Sequence, residues 1–204
     1  MKENNIPSEF AISYLDGIKK EYQKMKESSA LFEQEHKSLL ALIGLDLDAF
    51  SIRIHPEYPA QEIFQLAKVS ERDQQKLAGY LSKREKMYLM EQCVRSIIDD
   101  DTRRIAEEYY LNRKSQPEIA AKIGRTKSYV SKKLDKAEKE SMVETIDRYF
   151  AWKYSIPGGK DCFWADEQER QYMRKQDALH GIIRLPDISK MPWMKALRRM
   201  GLIK

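Results

Sequence analysis

Eight basic side chains, Arg113, Lys114, Arg125, Lys127, Lys132 and Lys136 among them, fall within one stretch of the chain, RKSQPEIAAKIGRTKSYVSKKLDK, and Thr126, Ser128 and Ser131 are interleaved with them. Guanidinium and ammonium groups neutralise phosphates, and short hydroxyl side chains let a helix approach base edges closely and hydrogen-bond there. The chemistry on offer is recognition of a polyanion. Catalytic sets are missing by comparison. Cys162 and His180 form no ligand set with anything nearby, and Tyr172 with Arg174 lacks the surroundings a tyrosine recombinase needs. The triplet Asp99, Asp100 and Asp101 suggests a metal at first sight, but consecutive helical residues point in different directions. There is no phosphate-cradling glycine loop and no zinc spacing. No enzyme activity, metal or cofactor is expected.

Charge distribution supports this reading. The chain has 204 residues and a net charge of +5. Residues 1–111 carry 16 basic and 20 acidic side chains, residues 112–139 carry 9 and 3, and residues 140–204 carry 12 and 9. A positive segment set in a near-neutral chain is the electrostatic footprint of nucleic-acid binding.

Those side chains need elements to aim them. Ser115-Gln116-Pro117-Glu118 is an S-x-x-E capping box with proline in the first turn, so it starts a helix. That helix runs to Ile123, where Gly124 permits a left-handed turn. Thr126 can cap a second helix running through Leu134. Ile119, Ile123, Val130 and Leu134 are expected to point inward, and Ala120 is small enough for a close crossing. Two short helices with a glycine-bearing turn make a helix-turn-helix, whose second helix enters the major groove. In that arrangement Lys127, Ser128 and Ser131 face base edges and Lys132 and Lys136 face phosphates. Arg113 and Lys114 clamp the neighbouring backbone, and Arg125 and Thr126 stand at the edge of the groove. Tyr129 either packs on the preceding helix or touches a thymine methyl. The helix at 99–112, begun by the aspartates and carrying Ile105, Ala106, Tyr109 and Tyr110, serves as support.

The segment PEIAAKIGRTKSYVSKKLDKAEKE resembles region 4 of sigma-70-family factors, particularly the small extracytoplasmic-function type. Glu118, Ile119, Ala120, Ile123, Gly124, Val130, Leu134 and Ala137 occupy the matching positions of E-I-A-x-x-L-G-I-S-x-x-T-V-x-x-x-L-x-x-A. The resemblance covers residues 99–143 and implies promoter DNA as ligand and RNA polymerase as partner. Arg125 departs from it, standing where the motif has an apolar residue. No aromatic promoter-melting segment like that of sigma region 2 is recognisable in residues 1–98. The resemblance therefore implies a sigma-like regulator of the phage or mobile-element kind, not a self-sufficient sigma factor.

The rest of the chain reads as helical flanks. In residues 1–44 a stripe of Ala11, Leu15, Ile18, Tyr22, Met25, Ser29, Phe32, His36, Leu39 and Ile43 follows heptad spacing, from a start at Ser8 to a stop at Gly44. It leaves a coiled-coil oligomerisation segment and packing within the chain equally open. Residues 45–98 combine a linker or lone strand, AFSIRIHPEYP, with a helix from Ser70 to Ile98 that Gly79 can divide. Its apolar face is Leu77, Leu81, Tyr88, Leu89, Cys93 and Ile97, which makes Cys93 a buried small hydrophobe. Residues 144–204 form a helical extension: a core face of Met142, Ile146, Tyr149, Phe150 and Tyr154, a helix near 164–180, and a basic amphipathic end around Trp193, Lys195 and Arg198.

The expected fold is all-α, with a helix-turn-helix core at 99–143, a long N-terminal helix and a helical C-terminal extension. The expected function is sequence-specific binding of double-stranded DNA in transcription regulation, as a homodimer or higher homo-oligomer. A phage DNA-packaging protein of the small-terminase kind, or a replication protein, is the alternative; a recombinase or nuclease ranks below both. No run long enough for a membrane span and no signal-peptide core is present, and two distant cysteines fit a reducing cytoplasm.

Overall fold

A proline-free run, Glu9–Glu35, winds into α1, 27 residues long, or about 40 Å at 1.5 Å per residue. The computed structural model describes residues 9–42, 69–155 and 164–179. Every regular element among them is a helix, so the fold class is all-α. After α1 come α2 (Lys37–Leu42), α3 (Glu71–Arg95), α4 (Asp100–Ala106), α5 (Gln116–Ile123), α6 (Lys127–Ala137), α7 (Val143–Ser155) and α8 (Glu167–Leu179). Two π-helical turns, Glu107–Leu111 and Glu138–Met142, extend α4 and join α6 to α7. The described residues up to Asp166 belong to one compact unit, and α8 belongs to a second.

The heptad stripe of α1 is buried within its own chain. Ala11, Leu15, Ile18, Tyr22, Met25 and Ser29 are all buried, together with Tyr14, and α1 packs chiefly on α3 and also on α7. A seam that could equally have served a second copy is thus covered by later helices. At the N-terminal end Phe10 and Tyr14 meet Phe150 edge-on, with centroids 4.9 and 5.0 Å apart. At the other end Phe32 stacks on Tyr80 at 4.6 Å, and the Tyr80 hydroxyl donates to Glu33 at 2.7 Å. The helix pauses at His36, where Phe32, His36 and Leu40 keep their backbone hydrogen bonds through a turn into α2.

Ser70 caps α3 by accepting from the Asp73 amide at 3.2 Å. The helix then runs unbroken to Arg95, so Gly79 does not divide it. One exposed glycine costs a helix only about 1 kcal/mol relative to alanine. The burial of Leu77, Tyr80 and Leu81 around it outweighs that. Cys93 is fully buried and its thiol donates to the Met142 carbonyl at 3.4 Å; burial pushes its pKa up to about 12. Where α3 passes α7, Glu85 is buried among polar partners. Its carboxylate accepts from Tyr149 at 2.5 Å, Lys153 at 2.6 Å and Trp164 at 2.7 Å. Met142, at the end of the π-helical turn, and Ile146 and Phe150 on α7 are buried as the pattern predicts, and Tyr149 is half-buried. The expected start at Ser8, the stop at Gly44, the AFSIRIHPEYP linker, the Tyr154 side chain, Cys162, His180 and the basic end around Trp193 lie outside the described residues.

Candidate nucleic-acid interface

The stretch rich in cations is built around three local devices. Asp99 caps α4, accepting from the Thr102 amide at 3.2 Å. Ser115 and Glu118 close the capping box of α5 reciprocally: the Glu118 amide donates to the Ser115 hydroxyl at 3.4 Å, and the Ser115 amide donates to Glu118 at 2.7 Å. Gly124, at φ 64°, is left-handed. The Gly124 amide donates to Ala121 and the Arg125 amide to Ala120, at 3.3 and 2.9 Å, which is the Schellman pattern. Thr126 then caps α6 by accepting from the Tyr129 amide at 3.2 Å. Three residues, 124–126, are enough to end α5 and start α6 because the left-handed glycine, its paired hydrogen bonds and the threonine cap coincide there.

Burial divides α6 into two faces. Val130, Leu134 and Ala137 are buried, α6 packing on both α4 and α5. Lys127, Ser128, Ser131, Lys132 and Lys136 are all exposed on the far side. Lys127 with Ser131, and Ser128 with Lys132 and Lys136, follow the i, i+4 spacing that puts side chains in rows along one face. Lys136 stands 3.8 Å from Glu140, an exposed and loose pair. Lys127 and Lys132 make no ion pair among the described residues.

The other predicted residues are distributed around this face. Arg113 is exposed and, at φ 57°, left-handed. Lys114 is already engaged, bridging to Glu108 at 2.6 Å, and Lys122 binds the same carboxylate at 2.5 Å. Hydrogen bonds from Lys114 and then Lys122 hold the Glu108 carboxyl down to about 2. Arg125 sits on the opposite flank, its guanidinium 5.6 Å from the Tyr129 ring centroid. Lys133 approaches the same ring at 5.7 Å and bridges to Asp99 at 2.7 Å, tying α6 to the cap of α4. Hydrogen bonds from Lys133 and Thr102 draw Asp99 down to about 2. Tyr129 is half-buried, with these two cations over its ring.

Ile123 is a correction. The apolar pattern predicts it inward, but it is 40 % exposed. It is the last residue of a helix only eight residues long. One turn beyond buried Ile119 the chain swings away at Gly124, so Ile123 instead lines an open groove of about 510 Å³ with Ile105, Tyr129 and Arg125. A second, larger groove of about 1010 Å³ is lined by Arg113, Lys114 and Lys127 and by residues of α1.

Sequence reasoning missed Glu108 and Lys133, whose ion pairs join segments far apart in the chain, and the α1 wall of the larger groove. The only available signal for that wall was Lys20 and Lys24 at i, i+4 beside the apolar stripe. The aspartate triplet does not converge, since Asp99 serves the cap and Lys133 while Asp100 pairs with Arg103. Among the described residues no three His, Cys, Asp or Glu side chains are grouped to hold a metal ion. None of the helices described is long and apolar enough to cross a membrane. No family model, curated protein or solved structure matches the chain.

Proposed function

We propose that the protein is a sequence-specific DNA-binding regulator of transcription that inserts α6 into the major groove. The observation that carries this reading is the division of α6. Its buried side is held by α4 and α5, and its free side presents Lys127, Ser128, Ser131, Lys132 and Lys136 as one polar, cationic surface. Hydroxyls near the capped start of the helix suit base edges, and the lysines suit phosphates. Arg113, at the entrance to α5, is a further backbone contact. The cap at Thr126 and the Schellman turn at Gly124 fix the angle at which α6 is offered. The sigma region 4-like motif favours promoter DNA as the site, RNA polymerase as the accompanying partner and the cytoplasm as the compartment.

The test is binding of the full chain to a pool of genomic duplex fragments, followed by footprinting with and without RNA polymerase. A defined protected site is expected. If Lys127, Lys132 and Lys136 each neutralise a phosphate, changing all three to alanine should flatten the plot of log K against log salt by roughly 2.7, at about 0.9 per contact. A variant that binds with the wild-type slope and affinity would refute the proposal.

A further inference from the structure

The groove of about 1010 Å³ lies between the start of α5 and α6 on one side and α1 on the other. Its lining includes six basic side chains and three carboxylates. Two of the three carboxylates are engaged within the chain, and the third, Glu27, is exposed at the end of the α1 row. Glu138 accepts from Lys19 at 2.8 Å and from the Tyr110 hydroxyl, while Glu118 is turned back onto Ser115 in the capping box. On the α1 wall, Lys20, Gln23, Lys24 and Glu27 follow i, i+3, i+4, i+7 spacing and so share a face. Gln23, in the middle of that row, donates to the Leu111 carbonyl at 3.0 Å. This anchor, together with the Lys19–Glu138 pair, directs the row at the groove. Lys20 and Lys24 are exposed and make no ion pair among the described residues. They stand across the groove from Arg113 and Lys127.

We infer that Lys20 and Lys24 of α1 are a second phosphate-binding ledge, so that duplex DNA held by α6 continues along this groove and is gripped by α1 as well. The inference rests on the reading of α6 as the DNA-reading helix. The two lysines are about 6 Å apart along the helix axis, and a duplex carries one charge per roughly 1.7 Å of its own axis, so adjacent backbone charges are within reach of both. Four unneutralised cations, Lys20, Lys24, Arg113 and Lys127, then frame one channel. The ledge adds affinity and length of contact but no sequence information, because phosphates are alike at every base pair.

The test compares the full chain with Lys20→Gln/Lys24→Gln, with Lys127→Ala, and with the control Lys26→Gln/Lys37→Gln. The control removes two exposed charges that do not line the groove. Salt dependence of duplex binding and the hydroxyl-radical footprint are measured for each. The groove variant should lose roughly 1.8 from the magnitude of the salt slope, two contacts at about 0.9 each. Its footprint should shorten on one side, and its selected base sequence should be unchanged. A groove variant indistinguishable from the control overturns the inference. If Lys127→Ala still weakens binding in that case, the DNA-reading role of α6 stands without the ledge. Failure of the wild-type chain to bind any duplex removes both.

Discussion

The Lys153 ammonium lies 2.6 Å from the Glu85 carboxylate, with 4 % and 2 % of the two side chains exposed. This ion pair joins α3 to α7 inside the helical unit, and Tyr149 and Trp164 supply the remaining hydrogen bonds to Glu85. Burying two charges is costly, and the cost is offset only while each has its partners. Lys153→Met leaves a buried carboxylate without its counter-charge and should lower unfolding free energy by about 3–5 kcal/mol. Urea titration reads the change. A loss below about 1 kcal/mol would mean that the pair is solvated in solution.

The α1 stripe offers a second prediction. Leu15 and Ile18 are 2 % and 1 % exposed within a single chain. Each change to alanine should cost about 2–5 kcal/mol by leaving a cavity. The urea midpoint should not depend on protein concentration. If the stripe were instead a seam between copies, the midpoint would rise with concentration by mass action.

The two readings of that stripe show where sequence alone stops. Spacing of Ala11, Leu15, Ile18, Tyr22 and Met25 defines an apolar face but does not say which helix covers it. The answer depends on how residues more than forty positions later pack. Local signals carried much further. The Ser115–Glu118 box, Gly124 at positive φ and the Thr126 cap were all legible, because each is decided within about four residues. Ile123 departs from the inward pattern because that pattern holds only while a neighbouring helix stays alongside, and the turn at Gly124 ends that. The ion pair of Lys114 with Glu108 is not legible locally, because Glu108 lies on the preceding helix. Gly79 does not divide its helix because one exposed glycine costs too little to interrupt well-packed turns.

Acid sensitivity follows from the bridges around the candidate interface. Lys133 and Thr102 hold the Asp99 carboxyl at about 2, and Lys114 and Lys122 do the same for Glu108. Both values lie below those of unfolded carboxylates, about 3.9 and 4.3. The folded chain therefore binds fewer protons than the unfolded one in this interval. The stability these bridges contribute is present above about pH 4 and lost as pH falls toward about 2. Asp99→Asn keeps a good capping residue but removes the charge facing Lys133. It should reduce the slope of melting temperature against pH in that window. An unchanged slope would show that the Asp99–Lys133 bridge does not persist in solution.

Arg113 joins a backbone cost to the proposed interface. Its φ of 57° is left-handed, which costs a residue with a Cβ roughly 1–2 kcal/mol. The strained residue closes the end of the preceding helix, where the Lys114 amide donates to the Glu108 carbonyl at 2.9 Å. Glycine would take that conformation freely, at about 0.5–1 kcal/mol of unfolded-state entropy. Arg113→Gly should therefore raise stability by about 0.5–1 kcal/mol. Removing the guanidinium should also lower the magnitude of the salt slope of DNA binding by about 0.9, with base preference retained. Arg113→Ala separates the two effects, because it removes the charge but keeps the Cβ. It should show the same binding change with no gain in stability. A matching loss of binding in both variants assigns the arginine to phosphate. A glycine variant that is more stable and binds with the wild-type slope would mean that Arg113 contacts no DNA backbone.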